Sequence, residues 1–390
     1  MRPTPISSIR TATLCVSLWL VLAGSPQALA ADAVLPPEKI ASLIKRERPA
    51  VADPWGWATD MLAAFDEISQ PATRENVCAG IAVISQESGF LANPAVPGLG
   101  RISEQALRRR MGAYPLIGGR IIDYLETTPQ AQGSFMDRIR AAKTERDLDL
   151  VYRALIDEIG ARTELQFILD SGVLNRMIEQ RNEISTIGSM QVSVAFAVAI
   201  ERQNRWTPMS LKDVYRVRDR LYTRRGGMAY GLRQLLNYET GYDRKVYRFA
   251  DYNAGRYASR NAAFQSIAAT LSGTSLAHDG DLLAYGGNGK PSGRPGNTEL
   301  AVRAIIAKAA IPLKPEDIRR DLAPEKSAKF TATETFKAVR DLYQHVTGKA
   351  APFAMLPDIK LKSEKIASRM TTAIFAERVN ARYRRCMKKP

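Results

Sequence analysis

Apolar positions along this chain recur at intervals of three and four far more often than at two, which predicts helices almost throughout. Alternating Val, Ile and Thr runs of strand type are scarce, while Ala, Leu, Arg and Glu dominate. Helices are expected over 37–48 and 54–70, and Pro71 followed by Thr73 opens a third. In that third helix Val77, Ile81 and Ile84 form one stripe, and three more residues along the stripe stands Glu87, inside CAGIAVISQESGF. A loop rich in Pro and Gly over 93–100 leads to charged amphipathic segments over 101–180, broken by Pro115 and Gly118-Gly119. Further helices are expected over 189–201, opened by Gly188, over 226–238, and over 245–254, ended by a left-handed Gly255. The next is N-capped by Ser259, carries the stripe Phe264, Ile267, Ala268 and Leu271, and closes at Gly273. After a Gly/Pro-rich connector over 276–297, helices are expected near 298–310, 331–347 and 363–387, with Thr331 and Glu334 as a capping box.

The first thirty residues change the compartment. Arg2 and Arg10 precede a short apolar run over 12–22, and Ala28-Leu29-Ala30 supplies a cleavage site, so 1–30 reads as a secretory signal cut after Ala30. The run is too short to span a bilayer, and Leu14 before Cys15 does not fit a lipoprotein leader, so a soluble periplasmic protein without a transmembrane segment is expected. Loss of two arginines and no acids lowers the net charge from +16 to +14. The lysines and arginines are scattered without interleaved aromatics, which points away from nucleic acid and toward acidic envelope polymers.

Cys78 and Cys386 remain, in a compartment where disulfides persist. Two separately buried thiols are the more frequent outcome for such a pair. A bridge would instead tie the C-terminal helix, with its stripe of Phe375, Val379, Tyr383 and Cys386, to the helix that carries Glu87. Only two histidines, His278 and His345, are present, which argues against Ser-His-Asp or Cys-His catalysis and against a His-rich metal site. GGNGKPSG at 286–293 lacks the glycine spacing of a phosphate loop and is read as a turn.

A carboxyl on the buried face of a helix is costly unless it is used, because desolvation disfavours its charged form and keeps it a proton donor near neutral pH. Glu87 has company. Gln86-Glu87-Ser88, Gly188-Ser189-Met190-Gln191 and Asp251-Tyr252-Asn253-Ala254-Gly255 all place hydrogen-bonding side chains at the ends of otherwise apolar helices. In type and order these stretches resemble the three motifs of the lytic transglycosylase and goose-type lysozyme group, and GGMAYGLRQLL resembles that group's intervening helix. TRRGG at 223–227 and YRFADYNAGRYASRNAAFQ at 247–265 are also similar to a bacterial envelope family of unknown function, DUF1615-like, that shares these motifs.

The resemblance implies an all-α, lysozyme-like catalytic lobe over 73–275, preceded by N-terminal helices over 31–72 and interrupted by a helical insertion near 101–180. The helices of 298–390 are expected to pack back on that core. The activity implied is lytic cleavage of the bond between N-acetylmuramic acid and N-acetylglucosamine in peptidoglycan, without metal or organic cofactor. Glu87 matches the single catalytic acid, Ser88 a residue that contacts substrate and steadies the acid, and Met190 and Gln191 groove-lining positions. Tyr252 and Asn253 match the pair facing the acid, with the phenol able to hydrogen-bond its carboxyl. Two departures matter: the connection between Glu87 and Met190 is long, so that 101–180 could wall the groove or bind an envelope protein, and Asp251 stands where the group has a small residue. A second carboxylate at Asp251 could activate water and make the protein a hydrolase. A non-catalytic peptidoglycan-binding or assembly protein on the same scaffold is the alternative from another class.

Overall fold

The computed structural model describes residues 33–163, 184–203, 205–286, 289–360 and 370–388. The signal over 1–30, the end of the 101–180 segment beyond 163 and the start of the expected 363–387 helix lie outside these residues. From Val34 onward the chain forms one compact unit. It is predominantly helical, with two short antiparallel hairpins among the described residues. No helix among them is long and apolar enough to cross a membrane.

The first three helices are α1 (Pro37–Glu47), α2 (Pro54–Glu67) and α3 (Arg74–Glu87). Thr73 caps α3 by accepting the Asn76 N–H through its hydroxyl. The expected stripe understates α3, because every residue from Val77 to Ser85 is buried. Cys78, Ala79, Gly80 and Ala82 make this possible: small side chains between the Val and Ile positions let neighbouring helices approach on all sides. At Gly80 an added Cβ would lie 2.9 Å from the Leu232 side chain.

The segment after α3 comprises α4 (Leu99–Gly112), α5 (Gly118–Thr127), the hairpin β1 (Pro129–Gln130)–β2 (Gly133–Ser134), α6 (Phe135–Ala141) and α7 (Glu145–Thr163). It has a small core of its own, centred on Leu125, Phe135, Met136 and Val151. A buried ion pair joins it to the main body: Asp149 on α7 accepts from Arg218 at 2.7 Å, and both side chains are almost wholly enclosed.

The expected helix over 189–201 starts later than its apolar run suggests. Residues 186–193 form a hairpin, β3 (Thr186–Ile187) with β4 (Val192–Ser193), and only then does α8 (Val194–Gln203) begin. Gly188 and Gln191 both have positive φ, 84° and 50°, so the Gly-Ser-Met-Gln stretch is the hairpin turn rather than a first helical turn. There α9 (Leu211–Leu221) passes so close that a Cβ on Gly188 would lie 2.2 Å from the Leu221 carbonyl oxygen.

After α10 (Arg224–Leu236) and α11 (Val246–Ala254), Gly255 takes φ 104° with an extended ψ rather than the expected left-handed cap. The next helix, α12 (Ala258–Ser272), is entered through a left-handed Tyr257; Ser259 lies inside it and is not its N-cap. The 276–297 stretch is not a bare connector. Leu282 and Leu283 are buried and their N–H groups donate to the Glu325 carboxylate, which also accepts from Tyr285.

Helices α13 (Asn297–Lys308), α14 (Pro315–Leu322) and α15 (Glu334–Thr347) gather at α12 rather than at the core around α3. They enclose the apolar stripe of α12 in a second core around Phe264, Phe330 and Phe336. The cap of α15 is Thr333, two residues later than expected. Only the last helix, α16 (Thr372–Met387), returns to the first core, lying against α3 and α11.

Candidate active site

Glu87 is the last residue of α3, with Ser88 as its C-cap and Gly89 and Phe90 both at positive φ. The backbone therefore turns sharply just after the carboxyl. Ser88 and Gly89 both donate their N–H groups to the Ile84 carbonyl, and the Ser88 hydroxyl accepts from Leu91 N–H at 3.3 Å. Phe90 folds back into the core edge-on to Trp57, ring centroids 5.4 Å apart. Ser88 thus holds the turn that aims Glu87.

Glu87 itself is half-buried as a residue, with its carboxyl crowded by protein. Burial pushes its carboxyl up to about 8, and no hydrogen bond or cation from the described residues offsets that effect. This is the electrostatic signature expected of a general acid, since the group stays protonated at neutral pH.

The structure gathers the other sequence-predicted residues around a second framework. The Tyr252 hydroxyl donates to the Met190 carbonyl at 2.7 Å, which corrects the expectation that it bonds the Glu87 carboxyl. Tyr252 stays close enough for that carboxyl to matter: burial first, then the charge of Glu87, raises the phenol well above its usual range. Met190 is fully buried, so it does not line an open groove. It packs instead on α10, where a Cβ at Gly231 would come within 2.4 Å of the sulfur. Gln191 is half-buried; its Oε1 accepts from the Thr186 hydroxyl at 2.9 Å and its Nε2 donates to the Gly188 carbonyl at 3.3 Å. Asn253 is half-buried and its Oδ1 accepts from Thr372 of α16 at 2.8 Å, rather than facing the acid alone. Because the phenol is what fixes the hairpin turn to α11, Tyr252→Phe is expected to lower stability by about 1–2 kcal/mol, read by chemical denaturation.

Asp251 is not a second catalytic carboxylate. It is wholly buried, Oδ1 accepts from Ser259 N–H at 2.7 Å, and Oδ2 accepts from Tyr257 N–H and from the Tyr238 and Tyr242 hydroxyls. The carboxylate caps the start of α12, which explains why Ser259 need not, and a wholly buried carboxylate committed to four donors is not placed to activate a solvent water. Burial raises its pKa while the Ser259 and Tyr242 hydrogen bonds pull the other way. Asp251→Asn replaces one of the two acceptor oxygens with an amide donor and is expected to cost about 2–4 kcal/mol of stability. A hydrolase using Asp251 would instead keep its stability and lose turnover; denaturation curves and activity of the variant separate the two.

The C-terminal helix adds Thr372, Arg382 and Arg385, which the sequence did not single out, to the cysteine that it did. Cys78 and Cys386 are joined in a disulfide, the bridge that the sequence left open beside the more frequent outcome of two separate thiols. Helices α3 and α16 lie side by side, with a Cα–Cα separation of 5.5 Å at the bridge, well within the span such a bond requires. Beside it, Arg382 donates to Glu47 at 2.7 Å and to Ser85 and Gln86, the residues just before Glu87. Glu47 on α1 is almost fully enclosed and also accepts from Arg385. Helix α16 therefore clamps α1 and the C-terminal end of α3, and through Thr372 reaches Asn253. Arg48 adds a guanidinium over the turn: a Cβ on Gly89 would lie 2.7 Å from its Cζ.

An uncharacterized protein of Escherichia coli strain K12, YaiW, is 39% identical over 350 residues, covering 90% of each chain. No solved structure matches. A family model described as "Protein of unknown function (DUF1615)" matches residues 50–389, so the stretch from just before α2 to the last helix belongs to one evolutionary unit. The chain is a member of the DUF1615 family.

Proposed function

We propose that this protein is an exported peptidoglycan lytic transglycosylase with a lysozyme-like catalytic lobe, acting in the periplasm, and that Glu87 is its acid and base. One observation carries the reading: a carboxyl at the end of α3 on a half-buried residue, without a partner among the described residues, raised to about 8 by burial. Protonated Glu87 gives its proton to the glycosidic oxygen as the C1–O4 bond breaks. The carboxylate left behind takes the proton of the muramoyl 6-hydroxyl, whose oxygen closes on C1 and forms the 1,6-anhydro end. The proton returns to Glu87, so no water is consumed and no second carboxylate is needed. Occupation of both Asp251 oxygens supports this outcome over hydrolysis. Gln191, with donor and acceptor atoms at a half-buried position, is the candidate for the sugar N-acetyl group.

Solubilisation of purified sacculi across pH tests the assignment. Activity should persist through neutrality and fall as Glu87 ionises near pH 8, with anhydro ends in the soluble fraction. A fall near the usual carboxylate pKa, or no soluble product at any pH, would remove Glu87 from the role.

A further inference from the structure

The last helix leaves positive charge uncompensated beside the end of α3. Arg378, Arg382 and Arg385 follow one another on α16 at intervals of four and three, so they share one face of it. With Gln86 and Ala381 they line an open cleft of about 390 Å³ between α16 and α3. Among the described residues one carboxylate pairs with these cations, Glu47, which accepts from both Arg382 and Arg385. Arg382 is further committed to Ser85 and Gln86. Arg378 is exposed and has no ion pair or side-chain hydrogen bond among the described residues. No acidic residue stands three or four positions from it on either side. Glu377, its neighbour in sequence, borders the next hollow along α16, with Ile374, and not this one.

The register of the two helices sets where the cleft lies. Cys386 meets Cys78, and Arg382 meets Ser85 and Gln86, so α16 runs antiparallel to α3. Arg378 stands eight residues before Cys386, and Gln86 eight residues after Cys78. At about 1.5 Å per residue each lies about 12 Å from the bridge, in the same direction. Arg378 is therefore about level with Gln86 and with the Glu87 that follows. We propose that this cleft is a subsite for the free carboxylates of the stem peptide that the muramic acid of a glycan strand carries, with Arg378 as its principal contact. The inference rests on the reading of Glu87 as the residue at which such a strand is cleaved. A guanidinium presents paired N–H donors that match a carboxylate, and Gln86, whose Oε1 accepts from Arg382, keeps its Nε2 to donate. A bound carboxylate would also relieve the repulsion between like charges along this face. Phosphate groups of envelope polymers offer the same charge. The peptide is favoured because a strand held at Glu87 brings its branch to a cleft at the same level.

The test reads binding rather than turnover, in a Glu87→Gln background that leaves the strands intact. That protein should co-sediment with purified sacculi, and about three- to tenfold more weakly with sacculi stripped of stem peptides by an amidase. Adding Arg378→Ala should abolish the difference, so that both kinds of sacculi are bound about as weakly, with the circular dichroism spectrum unaltered. Arg378→Lys, which keeps the charge but loses the paired donors, should preserve part of it. Soluble stem peptide should displace the protein from intact sacculi, and inorganic phosphate at the same concentration should not. No binding, equal binding to intact and stripped sacculi, an undiminished difference in Arg378→Ala, or displacement by phosphate as strong as by the peptide would overturn the subsite. A failure of the catalytic reading shows separately, as absence of soluble product from the unaltered protein while the peptide-dependent binding is kept.

Discussion

The Glu87→Gln change is expected to cut the rate of sacculus solubilisation by about 10²–10⁴-fold, the usual contribution of a positioned acid–base group. The same change should make the protein more stable, and that pairing is diagnostic. The folded Glu87 pKa is about 8 against an ordinary value of 4.5. Between those values the native state holds a proton that the unfolded chain has released, so stability falls as pH rises through the window and levels off above about 8. A neutral amide at this position carries no such penalty. The gain in the variant should be near zero at about pH 4 and reach about 1–3 kcal/mol by about pH 8. Urea unfolding of both proteins at several pH values measures it. A structural glutamate would behave in the opposite way, with Glu87→Gln losing stability and leaving turnover intact.

Opening the Cys78–Cys386 bridge should have the second-largest effect. The bond closes a loop with a sequence separation of 308 residues, so it removes much of the freedom of the unfolded chain. Cys78→Ala with Cys386→Ala should cost about 2–5 kcal/mol. The consequence for the site is specific. Helix α16 holds Gln86, the residue before Glu87, through Arg382, and Asn253, the residue after Tyr252, through Thr372, so a loosened helix disturbs both stretches. Turnover should fall before global unfolding, as temperature rises, in the bridge-free protein and not in the bridged one. The carbonyls of Cys386 and Lys388 accept from Arg46 and Arg74, which keeps the helix docked at low temperature. Parallel thermal curves of activity and helicity check the order of events; identical curves for both proteins would contradict it.

The sequence carried the helices and the position of Glu87 because both depend on local periodicity. Thr73, Val77, Ile81 and Ile84 define where α3 begins and which face it buries, and Glu87 follows from the same spacing. Features set by distant partners were hidden. Gln191 gives no local sign of a positive φ, so the Val- and Ala-rich run after it extended the apparent helix back to Ser189. The role of Asp251 rests on tyrosines and N–H groups at 238, 242, 257 and 259, which converge only after α11 and α12 are placed. The phenol of Tyr252 could reach a carboxyl or a carbonyl with equal chemistry, and packing chose the carbonyl of Met190. The stripe of Phe264 and Ile267 was legible as a stripe, but nothing local said that it faces a second core built by α13 to α15. The disulfide needed the one quantity a sequence lacks, the distance between α3 and α16.

The most direct measurement is digestion of purified sacculi in ¹⁸O-labelled water by the unaltered protein and by the Glu87→Gln variant, with the released muropeptides weighed by mass spectrometry. The account predicts 1,6-anhydro ends free of the label, and their disappearance in the variant. Labelled reducing ends, undiminished release by the variant, or no release by the unaltered protein would contradict it.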